Sequence, residues 1–445
     1  MFIPRLSDVL ERRALYSGNA PLNDNSNSSG FSLDTGGMAS FFGGDVAVTA
    51  MTTIHLDPSR RWLGWYNCPG TYEVARRYGR VSDSKLLEGL FPGVPTDLAT
   101  LLGLEELRGT KYIGGHNGTV LEETGPFSAL LMKHSVERLE TVEIPSRRTQ
   151  PIAVTITELE HAPSNQAVLR TPIYPPIVAT IPILASVGTA VACGVFEDWF
   201  SFSLIVLGIL VNGISCIVIG AADFIFQYPI PRVDVPGDGI LVSEKDKEII
   251  VLKGSGDAAN SITLGSATLS FRWRYWIKWC TILLVLQLIA QILLIPQCSL
   301  FGQIMFIGSL GVSWAYNMWL SSIDKESIQS EVFVRGVLRR PNAWRYSLGT
   351  RTSAVVFMLL ALKPKDPGRI LNILIPNDTP EWLKFKDDIL SRIRTDQELR
   401  FETSFLDTLA PWQDKKLMEL LYRDAEAAYN GYLDHLARSE TKKAT

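Results

Sequence analysis

The sequence predicts an α-helical membrane protein with four transmembrane helices arranged as two hairpins, on three observations. Residues 171–222 carry no charge except Glu197 and Asp198, and residues 279–323 carry none at all. Each block is about twice the ~20 apolar residues that a helix needs to cross a ~30 Å hydrocarbon core. Each is also broken near its middle, by Gly194-Val195-Phe196-Glu197-Asp198 and by Pro296-Gln297-Cys298-Ser299.

The breaks place the spans at roughly 175–196, 199–221, 276–295 and 300–321. Ile282 to Ile295 in the third is dominated by Leu, Ile and Val, each favouring insertion by ~0.3–0.6 kcal/mol. That outweighs the cost of Gln287 and Gln291 on the same helix face. The overall composition, 46% hydrophobic and 20% charged, is ordinary, so the membrane signal lies in the two blocks and not in the mean.

Orientation follows from basic residues. The two short turns have none, whereas the central loop carries Arg232, Lys245, Lys247, Lys253, Arg272 and Arg274. Lys325, Arg335, Arg339 and Arg340 follow the last span. Both termini and the central loop are therefore expected in the cytosol, with the protein in an endomembrane or the plasma membrane. Trp273, Tyr275, Trp276 and Trp279 surround the start of the third span, and Trp314, Tyr316 and Trp319 close the fourth. Rings of this kind sit at headgroup depth, where Arg272, Arg274 and Lys278 are candidate contacts for anionic lipid. On this topology the sequons at Asn27, Asn117 and Asn377 carry no sugar.

Outside the bilayer, residues 1–40 read as a flexible N-terminus, with an Asn, Ser, Gly and Asp-rich linker at 19–37. Met1 to Gly18 is broken by charges and lacks the apolar core of a secretory signal, so entry is expected to be directed by the internal spans. Residues 41–170 read as a mixed α+β cytosolic region. Leu86 to Leu90 and Leu98 to Leu107 have helical character, and Thr141 to Ile144 and Ile152 to Ile156 alternate as strands do. The hairpins occupy 171–222 and 275–323. Between them, 223–274 predicts a small β-rich loop with strands at 239–242, 248–252 and 261–271. The cytosolic region at 324–445 reads as mainly helical, with helices expected over 382–394 and 414–436. Its apolar run Ala354 to Leu362 is too short to span, which predicts a buried helix or strand.

Chemistry-bearing motifs are weak. Asp34-Thr35-Gly36 has the letters of an aspartic-protease site, but no second triplet supplies the paired carboxylate that such chemistry needs. The five histidines have no metal-ligand spacing, and neither a phosphate-binding loop nor a Gly-x-Ser-x-Gly elbow is present. No cofactor is called for. A net charge of −3 with no basic tail argues against a nucleic-acid partner.

Within the spans, Asn212, Gln287, Gln291 and Asn317 are candidate intramembrane polar contacts, of the kind that bond across helices. Ser186, Ala190 and Gly194 recur at helical spacing and suit close helix packing. Cys193 and Cys298 fall at the two short turns, where a lumenal disulfide would join the hairpins; unpaired thiols are the alternative.

Gly237-Asp238-Gly239 followed by Ile250-Val251-Leu252-Lys253-Gly254, then Gly349-Thr350-Arg351-Thr352 and Ile375-Pro376-Asn377-Asp378-Thr379-Pro380-Glu381-Trp382, form an ordered set. Through it, residues 171–436 resemble uncharacterised multi-pass membrane proteins of basidiomycete fungi. The resemblance implies a fungal membrane protein and no particular mechanism. The expected function is that of a non-enzymatic scaffold or regulatory protein presenting cytosolic domains at the bilayer to protein partners or lipid headgroups. The alternative is a channel or transporter subunit working as a homo-oligomer, and a membrane-anchored enzyme ranks third. Transport would gather Gln287, Gln291, Asn212 and Asn317 around one hydrated cavity, whereas a scaffold would pair them with each other.

Overall fold

The computed structural model describes residues 43–81, 84–92, 110–159, 176–230, 236–243, 247–270, 274–401 and 414–444. The N-terminal segment at 1–40, the helix expected at Leu98 to Leu107, and Arg272 lie outside the described residues. The chain forms two compact units, each drawn from three separate stretches. One comprises Met1–Gly103, Arg170–Ile225 and Thr268–Lys325; the other comprises Leu104–Leu169, Phe226–Ala267 and Glu326–Thr445.

The first unit is helical. Its long helices are α5 (Thr180–Val195), α6 (Trp199–Ile219), α8 (Arg274–Leu294) and α9 (Leu300–Ser321). Three segments are long and apolar enough to cross a membrane, namely Ile177–Val195, Trp199–Ile219 and Tyr275–Gln297. The fourth helix, α9, is equally long and uncharged but less apolar. Large apolar side chains remain exposed along one stripe of the Ile177–Val195 segment (Ile177, Ile181, Leu184, Val191 and Val195) and on α8 (Leu286, Ile292 and Leu293). Stripes of that size on a helical bundle suit a hydrocarbon solvent. The helices interlock in pairs: α5 packs on α6 and α9, and α6 packs on α8.

Three shorter helices precede them: α1 (Gly44–Leu56), α2 (Thr71–Val81) and α3 (Lys85–Leu90). α1 has no Lys or Arg and buries Ala47, Ala50, Met51, Thr53 and Ile54, so it is enclosed on most of its circumference. It packs on α9, and α2 packs on α8. The stretch expected as a single α+β region at 41–170 therefore divides, with its apolar first part joining the helical unit and its strands joining the other. The physical reason is that α1 has no polar face to give to water.

The second unit is built on a seven-stranded sheet in the order β2-β1-β6-β7-β4-β9-β3. Its strands are β1 (Lys111–Gly114), β2 (Val120–Leu121), β3 (Thr141–Glu143), β4 (Ile152–Leu159), β6 (Gly239–Val242), β7 (Glu248–Gly254) and β9 (Asn342–Leu348). β4 runs parallel to β7 and antiparallel to β9, and β3 is parallel to β9. The three segments expected to be separate outside the bilayer thus supply one sheet.

Both sheet faces are covered, as a largely buried β4 requires. Val154, Ile156, Ile249, Val251 and Tyr346 pack against α11 (Arg351–Leu362), α12 (Pro367–Leu374), α13 (Pro380–Arg394) and α14 (Lys415–Ala444). α11 is the apolar run of the sequence: Thr350 and Ser353 form a capping box at its start, and every residue from Thr352 to Leu362 is buried. α4 (Pro126–Arg138), α7 (Gly256–Thr263) and α10 (Lys325–Val332) are the remaining α-helices among the described residues. Phe127 of α4 packs against Phe226 and Phe333 at centroid distances of 5.0 and 4.6 Å, and α7 packs on β7.

Two expectations are corrected here. The strand expected over 261–271 is split, because Ser255 caps a helix at Ala258 N and α7 runs to Thr263 before β8 (Ser266–Ser270) begins. β8 pairs with β5 (Asp223–Gln227) in a separate two-stranded sheet, so no three-stranded meander forms. The mainly helical C-terminal region also supplies β9, whose Trp344 and Tyr346 favour an extended, half-buried backbone over a helix.

The ordered motifs of the sequence have structural work in this unit. A Cβ at Gly237 would lie 2.2 Å from Ser255 O, and one at Gly239 would lie 2.5 Å from the Tyr112 ring. Between them, Asp238 accepts the Gly254 N–H at 2.8 Å and pairs with His116 at 3.3 Å. Thr350 caps α11, and Pro380 opens α13.

On the other sheet face, Arg345 donates to Ser135 O at 2.8 Å and to Glu248 at 2.6 Å, tying α4 to β9 and β7. Burial pushes the Glu248 carboxyl above its usual range, and Arg345 opposes that shift. In Arg345→Met the opposition is lost, so the folded-state pKa rises further while the unfolded value stays put. The fold then favours the neutral acid, and stability falls as pH rises from the unfolded pKa through the folded one. Denaturant titration is expected to give a loss of about 2 kcal/mol relative to wild type at pH 8, shrinking at pH 4.

Candidate functional site: a polar loop inside the helix bundle

After α1 the chain makes a 3₁₀ turn (Pro58–Trp62) whose first residues are capped by Asp57, which accepts the Ser59 N–H at 2.9 Å. Arg60 donates to Ala50 O at 2.8 Å and lies 6.0 Å from the Tyr316 ring centroid. The next residues, Leu63 to Gly70, form no helix, and Tyr66, Asn67 and Cys68 among them are buried. The loop is held by polar groups from three long helices. The Asn67 N–H donates to Ser186 Oγ of α5 at 3.0 Å, and Asn67 Nδ2 donates to Ser309 Oγ of α9 at 2.9 Å. Asn212 Nδ2 of α6 donates to Gly64 O at 2.7 Å. Tyr66 O–H donates to Asn317 Oδ1 of α9 at 3.1 Å, and Asn317 Nδ2 donates to Cys68 Sγ at 3.4 Å.

The contact residues Ser186, Gly208 and Ser309 lie near the midpoints of their helices, so Asn67 stands at mid-height in the bundle. Missing side chains make the space. A Cβ on Gly208 would lie 2.1 Å from Asn67 Oδ1, one on Gly213 would lie 2.4 Å from the Trp65 ring, and one on Gly64 would lie 2.3 Å from Cys216 Sγ. Non-helical backbone at such a depth is viable only when protein groups satisfy it, which Ser186 and Asn212 do here.

The four intramembrane polar candidates therefore behave differently from either expectation. Asn212 and Asn317 bond neither each other nor the glutamines; both hold the loop. Gln287 of α8 is fully buried with both amide atoms unpartnered, and its Nε2 lies 3.4 Å from the Cβ position of Gly208, beside Asn67. Gln291 is buried with its Nε2 unpartnered. Asn67 Oδ1 and Ser313 Oγ likewise have no hydrogen-bond partner. Sequence reasoning missed the loop itself. Its signal was present in Trp62-Leu63-Gly64-Trp65-Tyr66-Asn67-Cys68-Pro69-Gly70, a charge-free, aromatic and turn-rich stretch after an apolar helix.

At the short-turn end, Asp198 caps α6 by accepting the Ser201 N–H at 3.2 Å. Its other oxygen accepts the N–H of Ser299 at 2.9 Å and also the Ser299 hydroxyl, and Ser299 caps α9. Cys193 and Cys298 meet in the apolar cluster beneath, together with Leu204, Ile205, Phe306 and Leu310, and no disulfide joins them. Of the lipid-contact candidates, Lys278 is half-buried beside the exposed rings of Tyr275, Trp276 and Trp279, and Arg274 begins α8.

In the second unit, the pair His116–Asp238 stands beside Tyr112, whose phenol is pushed up to about 12 by burial and then by Asp238. Among the described residues no group of three His, Cys, Asp or Glu side chains could hold a metal ion. Comparison with protein families, with curated proteins and with solved structures finds no match.

Two outcomes follow from the bundle. Gly213→Ala drives a Cβ into Trp65 and is expected to cost about 1–3 kcal/mol, read as a lower thermal midpoint in detergent. Gly188→Ala and Gly308→Ala, where the new Cβ meets nothing within 4 Å, leave the midpoint in place. Peptide mapping without reductant is expected to recover Cys193 and Cys298 as separately alkylated thiols.

Proposed function

We propose that the chain is a four-span integral membrane protein that holds a folded α/β unit at the cytosolic face, as a scaffold or regulatory protein for partners met there. The observation that carries this reading is the pairing of β4 with both β7 and β9. β4 precedes α5 and α6, β7 lies between the two long hairpins, and β9 follows α9. Paired strands share one side of a bilayer, so each intervening stretch crosses it an even number of times. α5 and α6 meet that condition together. If α8 crosses, α9 must return, and its lower apolarity is explained by Ser309, Ser313 and Asn317 facing the bundle interior.

The distribution of basic residues supports the cytosolic side. The loop and tail that supply the sheet carry Lys247, Lys253, Arg335, Arg339 and Arg340, and the short turns have no Lys or Arg. A unit with its own core, returned to the same face by each hairpin, suits the display of a folded surface at the membrane. The resemblance to fungal multi-pass proteins supports the same setting.

Topology mapping in microsomes tests the parity. A protease added outside is expected to reach the N-terminus, the central loop and the C-terminus, with Asn117 and Asn377 unglycosylated. A sequon engineered into the 296–299 turn, with a spacer long enough to reach the transferase, acquires sugar. Sugar on Asn117 or Asn377 would overturn the reading.

A further inference from the structure

We propose that the bundle midpoint between Asn67 and Gln287 is a passage site for small neutral solutes of the hydroxyl or amide class, closed on the short-turn side by an apolar gate. This goes beyond the scaffold reading and rests on different residues. A buried amide without partners is costly in a low-dielectric interior, and Gln287 leaves both its donor and its acceptor unused. Asn67 Oδ1 beside it is an unused acceptor, while the rest of the Asn67 side chain is fixed by Ser309. A guest that donates to Asn67 Oδ1 and Gln287 Oε1 and accepts from Gln287 Nε2 satisfies all three. Water, a polyol and urea have that pattern, and a simple cation does not.

The surroundings disfavour a cation. Asn212, Ser313, Asn317 and Tyr66 line the same interior, and no Asp, Glu, Lys, Arg or His stands at this level of α5, α6, α8 or α9. Permeant ions commonly need such groups. At the loop end the Arg60 guanidinium is buried, 6.0 Å from the Tyr316 ring centroid. Gln291 lies one turn nearer the short turns than Gln287, buried and with its Nε2 unpartnered. Across from it, the α6 and α9 sides of the interior are apolar, with Leu204, Ile205, Phe306 and Leu310 packed together. A constriction of that composition blocks passage by excluding water until it opens.

Stopped-flow light scattering on proteoliposomes of the full chain, with water, glycerol and urea as separate probes, tests the proposal. At least one probe is expected to cross about tenfold faster than through protein-free vesicles, with potassium flux unchanged. Gln287→Leu removes the amide and is expected to abolish the gain while leaving the thermal midpoint equal or higher, since it also removes an unsatisfied buried group. Phe306→Ala opens the gate and is expected to raise the rate further. Wild-type vesicles no faster than empty ones for all three probes overturn the proposal. So does a Gln287→Leu variant that conducts as well as wild type, which would make the amide a structural feature only. Potassium flux above background overturns the restriction to neutral solutes.

Discussion

The helical unit depends on one constraint: a stretch of irregular backbone placed at mid-height among apolar helices must have its polar groups satisfied by protein. An unsatisfied amide in hydrocarbon costs several kcal/mol, so a loop such as Leu63–Gly70 could not enter unaided. Ser186, Ser309, Asn212 and Asn317 of α5, α6 and α9 bond the loop, and the loop is tolerated because they do. Gly208 and Gly213 belong to the same arrangement, since side chains at either position would occupy the space of Asn67 and Trp65. Residues that look like generic helix glue in sequence are therefore fitted to one short segment more than a hundred residues away in the chain.

The α/β unit obeys a different constraint, set by chain order. Its central strand β4 is flanked by β7 and β9, each separated from it by a stretch that includes a long hairpin. Those pairings cannot form until the intervening helices are placed, so closure of the sheet is late and its contacts are strongly non-local. Such a sheet folds slowly for its size, and its β4 edges stay open while synthesis continues. The buried Arg345–Glu248 pair spans β9 to β7 across β4, and thus locks strands contributed by two different stretches of chain. The capping box of α11 and the fully buried face behind it supply the local order on which those strands close.

What could be read from the sequence follows from which signals are local. Long uncharged blocks, their breaks, the apolar run of α11 and the helices at 380–394 and 415–444 are stretches whose composition decides their state, and each is found. The strand expected over 261–271 is shortened to Ser266–Ser270 because Ser255 and Asp257 start a helix whose capping outweighs the β-branched residues that follow. The union of 111–159, 239–254 and 342–348 into one sheet was not legible, because strand partners leave no mark on any single strand's composition. The polar site was half legible. Asn212, Gln287 and Asn317 stand out against an apolar background, but their partners lie in residues 63–70, which carry no hydrophobic period and sit outside both spans.

The two ends of the bundle are held by forces of different kinds, and this bears on which part can move. Near the short turns, apolar side chains interlock beneath the Asp198–Ser299 contact, and this end opens only when that close-packed cluster rearranges. At the loop end, the helices are joined to Leu63–Gly70 by a handful of hydrogen bonds, each worth about 0.6 kcal/mol on average among membrane helices. Their sum is a few kcal/mol, the scale on which two conformations of one protein interconvert. A loop bonded to α5, α6 and α9 at once would shift all three when it moved, whereas α8 places the unpartnered amide of Gln287 beside it. The loop is thus the element through which a change at mid-height would reach the rest of the bundle.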